Sequence, residues 1–328
     1  MTGRRVLVLA VSLAVAASAC SSVSSNDTAT RAAATGLRLL TPTASTTSAS
    51  TTPCTTNDST ARSFAPGSTM PAPGRMPAGS YMAAIQRRGY LIAGVDQNTL
   101  GFGYREPNNK IEGFDVDIVR AIATAIFGNP NAVRLEAVTT AQRQTAVVDR
   151  SVDLVASLYS ITCDRWQVLD FSTEYYAAKQ GVLVRASSPI EHVSDLNGKR
   201  VCATKTSTSI NQIHKFAPRA ILDPVDLRPE CLVHLEEGTA DAISTDDTIL
   251  YGLMRQDSQT RLLTDDLNQP ERYGIAINRQ HPDFVRFVNG VLEQVRVDGR
   301  WEQYYSKLEL QLHMPPALPP TPLYGRQP

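Results

Sequence analysis

The feature that most constrains the fold of this chain is a regular alternation of short apolar runs and amphipathic helical patterns. The apolar run 91–95 precedes a stretch, 116–127, whose apolar residues recur at the three- and four-residue spacing of a helix. Gly128 and Pro130 end that helix, and 132–138 reads as the next strand. The same patterns predict further strands at 152–157, 181–185, 200–204, 220–223, 241–244 and 273–277, and further helices at 141–149, 208–217, 226–237, 247–255, 283–297 and 299–308. Such alternation predicts an α/β fold with parallel sheets covered by helices on both faces.

Two of the strands, 181–185 and 273–277, lie symmetrically about the middle third of the folded part. This placement predicts a discontinuous first lobe, 81–181 with 273–310, and an inserted second lobe, 182–272. Ligands of open α/β sheets bind at the carboxyl ends of the strands. Two lobes that face each other would therefore enclose a cleft.

Composition excludes some functional classes. The 328 residues include 32 Lys and Arg and 32 Asp and Glu, so the net charge is zero, which argues against a nucleic-acid partner held by a basic field. No run of 18 or more apolar residues occurs, so no membrane-spanning helix is predicted. The length suggests about two domains.

Residues 1–19 have the layout of a secretory signal peptide, because Arg4 and Arg5 precede an apolar stretch that ends in small residues. The small residues followed by Cys20 resemble a bacterial lipobox, in which the cysteine becomes the lipidated first residue, although Ala17 stands where Leu is usual. We therefore predict an extracytoplasmic protein anchored to the cell membrane by diacylglycerol on Cys20. The alternative is a plain signal peptide with an incidental cysteine.

The segment that follows has the composition of a linker. Half of residues 21–60 are Ser or Thr, and Pro and Gly cluster between Pro66 and Gly79. Such a stretch buries too little apolar surface to offset its ordering entropy. We therefore predict a disordered tether over 20–80 and an irregular Pro-rich tail over 311–328.

Three segments together resemble the bacterial extracellular solute-binding proteins of family 3, the amino-acid receptors of ABC importers. They are IEGFDVDIVRAIATAIFG (111–128), VDLVASLYSITCDRWQVLDFSTEYY (152–176) and ADAISTDDTIL (240–250). The resemblance implies a two-lobed, periplasmic-binding-protein-like fold of type II, with two crossover strands and a ligand cleft between the lobes. It also implies a free amino acid as ligand, an ABC permease or another integral membrane protein as partner, a monomer, and no cofactor.

A free amino acid presents a carboxylate and an ammonium, both costly to bury unpaired. The resemblance assigns the carboxylate to Arg165 and the ammonium to Ser160, where the family has Thr, and to Asp246. Without the resemblance, Arg165 could equally be a surface residue paired with Asp164, and Asp246 a simple helix cap.

The resemblance also assigns ligand contacts to side chains on several loops. These residues are Asp96, Thr140, Leu158, Ser207 and Thr208. Ser207 and Thr208 open a helix, whose first N–H groups favour an anion. The family has Gly where Thr206 stands, and small residues are common at the position of Leu158.

Three cations are candidates for recognising the ligand side chain: Arg143, Lys179 and Lys205. Each alone is more often a solvated surface charge. Together they favour Glu, Asp, Gln or Asn as the ligand over a basic amino acid.

The cysteines fit an oxidising compartment. Relatives carry a pair at the positions of Cys202 and Cys231, which implies one bridge, and a second between Cys54 and Cys163 would join the tether to the first lobe. The alternative for the second pair is two free thiols. No metal motif occurs, and no metal site is predicted.

Three functions are open at this stage. The first is a lipid-anchored receptor that delivers a polar or acidic amino acid to an ABC importer. The second is an amino-acid sensor that docks on a membrane signalling partner. The third is a dehydratase-like enzyme, which a few relatives with this fold exemplify. We expect no enzyme here. A dehydratase would need a general acid directed into the cleft, whereas an Asp246 that binds an ammonium is better suited to an amino-acid ligand.

Overall fold

The computed structural model of the protein describes residues 62–265, 267 and 270–327. Within these ranges the strands, in chain order, are β1 (Leu91–Val95), β2 (Asn98–Thr99), β3 (Gly103–Arg105), β4 (Ile111–Glu112), β5 (Val133–Ala137), β6 (Leu154–Val155), β7 (Asp170–Phe171), β8 (Tyr176–Arg185), β9 (Arg200–Thr204), β10 (Ile221–Val225), β11 (Ala242–Asp246), β12 (Thr260–Leu262), β13 (Pro270–Tyr273) and β14 (Ala276–Ile277). The helices are α1 (Tyr81–Arg88), α2 (Phe114–Phe127), α3 (Gln142–Val148), α4 (Cys163–Trp166), α5 (Thr208–Phe216), α6 (Arg228–Glu237), α7 (Asp247–Gln256), α8 (Pro282–Val297) and α9 (Arg300–Leu312), with a 3₁₀ turn at Val193–Leu196. The predicted elements are present, with boundaries shifted by a few residues.

Lobe 1 is built on a five-stranded sheet with the order β5-β1-β6-β14-β7. Strands β1, β5 and β6 are parallel, whereas β14 runs antiparallel to both of its neighbours. The small antiparallel sheet β2-β3-β4 follows β1, and α2 packs beneath it. Helix α2 begins directly after Gly113, where a Cβ atom would lie 2.4 Å from the carbonyl oxygen of Phe102. Only glycine permits that close approach.

Lobe 2 is built on a sheet with the order β10-β9-β11-β8-β12. Strands β9, β10 and β11 are parallel, and β8 and β12 are antiparallel to their neighbours. The expectation of parallel sheets is therefore wrong at β8 and β14, whereas β12 runs in the same direction as β9, β10 and β11 because its one neighbour is the reversed β8. The reason for the two reversals is that the chain crosses between the lobes there, so that it enters each sheet from the opposite end.

Two crossover strands join the lobes. Strand β8 leaves lobe 1 at Tyr176 and continues into the lobe 2 sheet, and β13 pairs antiparallel with its first four residues on the way back. Aromatic rings stack at this pair, with the centroids of Tyr176 and Tyr273 5.6 Å apart. The two-lobed α/β fold with two crossover strands is confirmed.

Both ends of the described chain pack on lobe 1, contrary to the tether and tail that the composition predicts. Ser63 and Phe64 are buried, and the side-chain amide of Asn289 donates to the Ser63 Oγ (2.8 Å) and the Phe64 carbonyl (2.7 Å). The backbones of Ser63 and Tyr324 also pair in an isolated parallel β-bridge. The tether prediction is therefore wrong for 62–80, because a few buried side chains order a stretch whose average composition is polar. The predicted signal peptide, Cys20 and the rest of the tether lie outside the described residues.

Candidate functional site

A cavity lies between the lobes at the carboxyl ends of the strands. The space between its walls is about 270 Å³ when open solvent is included, of which about 10 Å³ is wide enough for the centre of a water molecule. Its lining residues come from both lobes and are Thr140, Arg143, Leu158, Ser160, Arg165, Thr204, Ser207, Thr208, Ser209, Arg228, Thr245, Asp246 and Ile249. Among the site residues predicted from the resemblance, Thr140, Leu158, Ser160, Arg165, Ser207, Thr208 and Asp246 are in this set.

Arg165 spans the cavity from lobe 1. It lies on the four-residue helix α4, whose first turn is capped by the Thr162 hydroxyl. Its Nη1 donates to the Ser160 carbonyl oxygen (2.6 Å), and its Nη2 donates across the cleft to the Thr206 carbonyl oxygen (3.3 Å). Burial lowers the pKa of the guanidinium from its usual value. A desolvated cation of this kind gains most from an anionic partner.

Two carboxylates face this arginine. Asp246 ends β11 and stands before α7, but its side chain makes no cap hydrogen bond. Instead its Oδ2 accepts from the Tyr273 hydroxyl at 2.5 Å. Burial, and then the nearby Glu271 carboxylate, raise the pKa of Asp246 to about 8. A cation bound next to Asp246 would lower this pKa and favour the ionised carboxylate.

Glu271 is the second carboxylate, and the sequence analysis did not identify it. It lies on the crossover strand β13 and is 3% exposed. Burial raises its pKa, and the side chains of Ser160 and Thr208 and the charge of Arg165 oppose that shift. Glu271 and Tyr273 share one face of β13, a two-residue spacing visible in the sequence, but only the fold brings that face to the cavity.

Arg143 is a buried cation on the lobe 1 wall. Its Nε donates to the Thr140 carbonyl oxygen (3.1 Å), and its Nη1 donates to those of Ser157 and Leu158 (both 3.0 Å). Its guanidinium carbon lies 4.2 Å from the Tyr159 ring centroid. Burial, and then the charges of Arg165 and Arg228, lower the pKa of Arg143 to about 9. Among the described residues no ion pair involves this guanidinium, whose hydrogen-bond partners there are backbone carbonyl oxygens.

Asp96 does not line the cavity, in contrast to the predicted ligand contact. Its Oδ1 accepts from the backbone N–H groups of Gln97 (2.7 Å) and Asn98 (3.0 Å). Its Oδ2 accepts from the Thr99 hydroxyl (2.5 Å) and forms an ion pair with Arg228, which begins α6 in lobe 2. The prediction for Asp96 is corrected accordingly: the guanidinium of Arg228, which the sequence analysis missed, covers the carboxylate and presents a cation instead.

The loop before α5 supplies the lobe 2 wall. Ser207 occupies the N-cap position without a side-chain cap, and its buried Oγ has no hydrogen-bond partner in the described structure. Thr206, where relatives have Gly, is held at a φ of +59°. An unpartnered hydroxyl and a strained backbone beside a nine-residue helix start are the features of an anion-binding wall.

Leu158 shows the same strain on the opposite wall. Its φ is +45°, and its N–H donates to the buried Asp115 carboxylate (2.9 Å). The Tyr175 hydroxyl donates to the other oxygen of Asp115 (2.7 Å). This network fixes the backbone of Leu158 although its side chain disfavours the left-handed region.

Two of the three predicted specificity cations lie elsewhere. The Lys205 ammonium pairs with Asp226 at 3.0 Å, and both side chains are about half exposed or more. Lys179 is exposed on β8, where its backbone N–H donates to the Asp247 carboxylate (3.1 Å). The structure does not place Lys179 and Lys205 in the cavity lining, in contrast to the predicted contacts, because these side chains are exposed at strand and loop positions next to the cleft. Arg143 is the remaining candidate.

The cysteine predictions have different outcomes. A disulfide joins Cys202 and Cys231, with 5.5 Å between their Cα atoms, as predicted. Cys163 is also disulfide-bonded. Its predicted partner, Cys54, lies outside the described residues.

One cluster in the described structure has the residue types of a metal site: Cys202, Asp223 and His234. The Cys202 sulfur belongs to the disulfide, and the His234 Nδ1 lies 2.6 Å from an Asp223 oxygen, so the cluster is a disulfide beside a hydrogen-bonded histidine and aspartate. A search of the same residues for membrane-spanning helices finds none of sufficient length and apolarity.

The chain is similar to known proteins over most of the described region. Residues 91–309 match the bacterial extracellular solute-binding proteins, family 3. The chain is 33% identical over 228 residues to the ABC transporter glutamine-binding protein of Bacillus subtilis, an alignment that covers 69% of this chain and 83% of that protein. It is 28% identical over 252 residues to a glutamate-binding protein of Corynebacterium efficiens, covering 74% and 86%.

Solved structures agree with the sequence matches. The solute receptor for L-cysteine of Neisseria gonorrhoeae has a TM-score of 0.68 at 26% identity, and the match covers 71% of this chain and 94% of that one. The structure agrees with these similarities, because it has two lobes, two crossover strands and a charged cleft between the lobes. The chain belongs to family 3 of the bacterial extracellular solute-binding proteins.

Proposed function

We propose that this protein is an extracytoplasmic receptor that binds a polar or acidic L-amino acid, namely Glu, Gln, Asp or Asn, for an ABC importer. The observation that carries the proposal is the pairing of opposite charges inside one small cavity. Arg165 and Asp246 line this cavity, and Glu271 lies beside it, hydrogen-bonded to the lining residues Ser160 and Thr208.

This arrangement complements the two charged groups of an α-amino acid. The carboxylate would accept from the Arg165 guanidinium and from the start of α5, where Ser207 supplies an unpartnered hydroxyl. The ammonium would donate to Asp246 and Glu271, whose pKa values burial raises although the charges of Arg228 and Arg165 oppose those shifts. Both ligand charges would then be buried with partners.

The ligand side chain would meet Arg143 and Arg228. The two guanidinium groups, Arg143 from lobe 1 and Arg228 from lobe 2, favour an oxygen-bearing side chain, a carboxylate or an amide, over a basic one. The named ligands of the relatives in Bacillus subtilis and Corynebacterium efficiens, glutamine and glutamate, support the same class.

The anchor and the partner are parts of the same proposal. Lipidation at Cys20 would hold the receptor at the outer membrane surface, and residues 21–61 would give the two lobes reach to a permease. A disulfide between Cys54 and Cys163, which is disulfide-bonded, would attach the tether to the first lobe. We further propose that the receptor acts as a monomer.

Titration calorimetry of the wild type and Arg165→Ala with glutamate, glutamine, aspartate and asparagine tests the proposal. We expect at least a tenfold loss of affinity, since a charge-assisted hydrogen bond contributes about 1.5–3 kcal/mol. Arg200→Ala is the control, because Arg200 binds the Thr239 carbonyl on an exposed edge of lobe 2. An unchanged dissociation constant in Arg165→Ala would refute the assigned role.

A further inference from the structure

The two ends of the described chain meet on the face of lobe 1 that carries α4. The Ser63 N–H donates to the Leu323 carbonyl oxygen (2.9 Å), and the Arg326 N–H donates to the Ser63 carbonyl oxygen (3.1 Å). The Leu323 N–H reaches the Thr173 hydroxyl (3.1 Å) and the Ser63 hydroxyl reaches the Phe171 carbonyl oxygen (2.7 Å). Residues 321–327, which we call the C-terminal brace, are thus fixed to Ser63 and to the segment between β7 and β8.

The brace ends on the helix that carries the proposed ligand arginine. The guanidinium carbon of Arg326 lies 3.6 Å from the ring centroid of Trp166, the residue directly after Arg165. Trp166 is 2% exposed and packs edge-on against Phe171, with 5.5 Å between ring centroids. Arg326 therefore covers the outer face of a side chain that is otherwise in the core.

Helix α4 depends on such contacts because it is only four residues long. A single turn has no stability of its own in water. The contacts that hold it include the Thr162 cap, the disulfide at Cys163 and the stack of Arg326 on Trp166. Arg165 lies in sequence between Cys163 and Trp166, so a shift of either residue would move the backbone from which its guanidinium extends.

We propose that Arg326 is a positioning residue for Arg165 and acts through Trp166. The inference rests on the proposed function, because it assumes that Arg165 binds the ligand. The brace lies beyond residue 309, where the family match ends. It would therefore be a device of this chain that presets the carboxylate-binding arginine, and its loss would weaken binding although no brace residue lines the cavity.

The test compares Arg326→Ala, Arg326→Lys and the control Arg286→Ala in the full mature chain. Arg286 is a fair match, because it also lies over an aromatic ring at the chain end, that of Phe64 at 5.4 Å, and binds the Ala65 carbonyl (2.8 Å), but contacts no residue of α4. Two readouts are measured: amide hydrogen exchange over 162–169 without ligand, and the dissociation constant for glutamate, glutamine, aspartate and asparagine.

We expect Arg326→Ala to speed exchange over 162–169 at least threefold and to weaken binding about threefold to tenfold. Arg326→Lys keeps a cation over the ring and should recover most of both effects. Arg286→Ala should change neither. Faster exchange with unchanged affinity, or unchanged exchange, would overturn the inference. If the wild type binds no amino acid, the proposed function fails, and the exchange result alone then decides whether the brace orders α4.

Discussion

At the scale of single residues, burial in the cleft changes the ionisation of the charged groups of the site. Asp246 shows this most clearly, because burial and the neighbouring Glu271 raise its pKa to about 8 from an ordinary value of 3.8. A carboxyl group whose pKa is raised by folding holds its proton in the folded state across the pH range where the unfolded chain has lost it. Its contribution to stability therefore falls as the pH rises from about 4 to about 8.

This sign leads to a test by pH-dependent unfolding. We expect the ligand-free wild type to lose stability between pH 5 and pH 8, and Asp246→Asn to lose distinctly less, since the amide never ionises. Asp226→Asn is the control, because Asp226 is an exposed carboxylate of lobe 2. Thermal unfolding at four pH values measures the slope. An equal slope in the wild type and Asp246→Asn would contradict the raised pKa.

The same carboxylate makes binding depend on pH in the opposite sense. A bound ammonium favours the ionised form, so ligand binding below pH 8 releases a proton from the Asp246 and Glu271 pair. Affinity should therefore rise from pH 5.5 to pH 8. Calorimetry in two buffers of different ionisation enthalpy measures the proton release, and a proton uptake on binding would show that another group dominates.

At this scale the resemblance to family 3 singled out Arg165 and Asp246, and both side chains line the cavity between the lobes. Their role in binding stays a prediction. Arg228, at the start of α6, and Glu271, on the crossover strand β13, were not identified, because no local pattern in the sequence shows that the fold brings a helix start and a crossover strand to this cleft. Lys205 lies beside the cavity residues in sequence, yet its side chain turns to solvent and Asp226.

At the scale of elements, the disulfide ties the central strand of lobe 2 to the helix that carries Arg228. Cys202 lies on β9 and Cys231 on α6, 29 residues apart in sequence. On the loop-entropy model a loop of this length contributes about 3–4 kcal/mol to stability. The bridge also limits movement of the α6 start relative to the sheet.

Replacing both cysteines by alanine tests this contribution. We expect the Cys202→Ala, Cys231→Ala double variant to lose about 3–4 kcal/mol of unfolding free energy in denaturant titrations. Reduction of the wild type should give a larger loss, since it also opens the disulfide at Cys163. A loss below about 1 kcal/mol would show that the reduced chain keeps the same constraint by packing.

The elements themselves were predicted well because most are long and periodic. Helix α2, with its apolar face and its glycines at both ends, has the boundaries that the pattern indicates. The short strands β2, β3, β4 and β13 were missed, since two to four residues carry no periodicity. The order of 62–80 and of the brace depends on a few buried side chains such as Phe64 and Met76, which average composition hides.

At the scale of the whole molecule, the lobes are joined across the cleft by a buried ion pair. Asp96 belongs to lobe 1 and Arg228 to lobe 2, and both side chains are almost fully buried. Removing one partner of a buried pair leaves an uncompensated charge at a cost of about 3–5 kcal/mol. Closure of the lobes should therefore depend on both residues together.

A double-mutant cycle measures that dependence. We expect Asp96→Asn and Arg228→Gln each to weaken ligand binding at least about tenfold, and the double variant to weaken it by much less than the product of the two. The exposed pair Lys205→Gln with Asp226→Asn is the matched control and should show almost no effect. Purely additive effects at Asp96 and Arg228 would contradict a closure role.

We have proposed that the cleft binds a polar or acidic amino acid, and the predictions about affinity depend on this binding. The most direct test is a thermal-shift panel of the twenty amino acids on the mature protein, because a ligand at a hundred times its dissociation constant adds about 2.7 kcal/mol of stability. We predict a selective rise in melting temperature with Glu, Gln, Asp or Asn, and no rise with Lys or Arg. A rise with basic amino acids only, or with no amino acid, would contradict it.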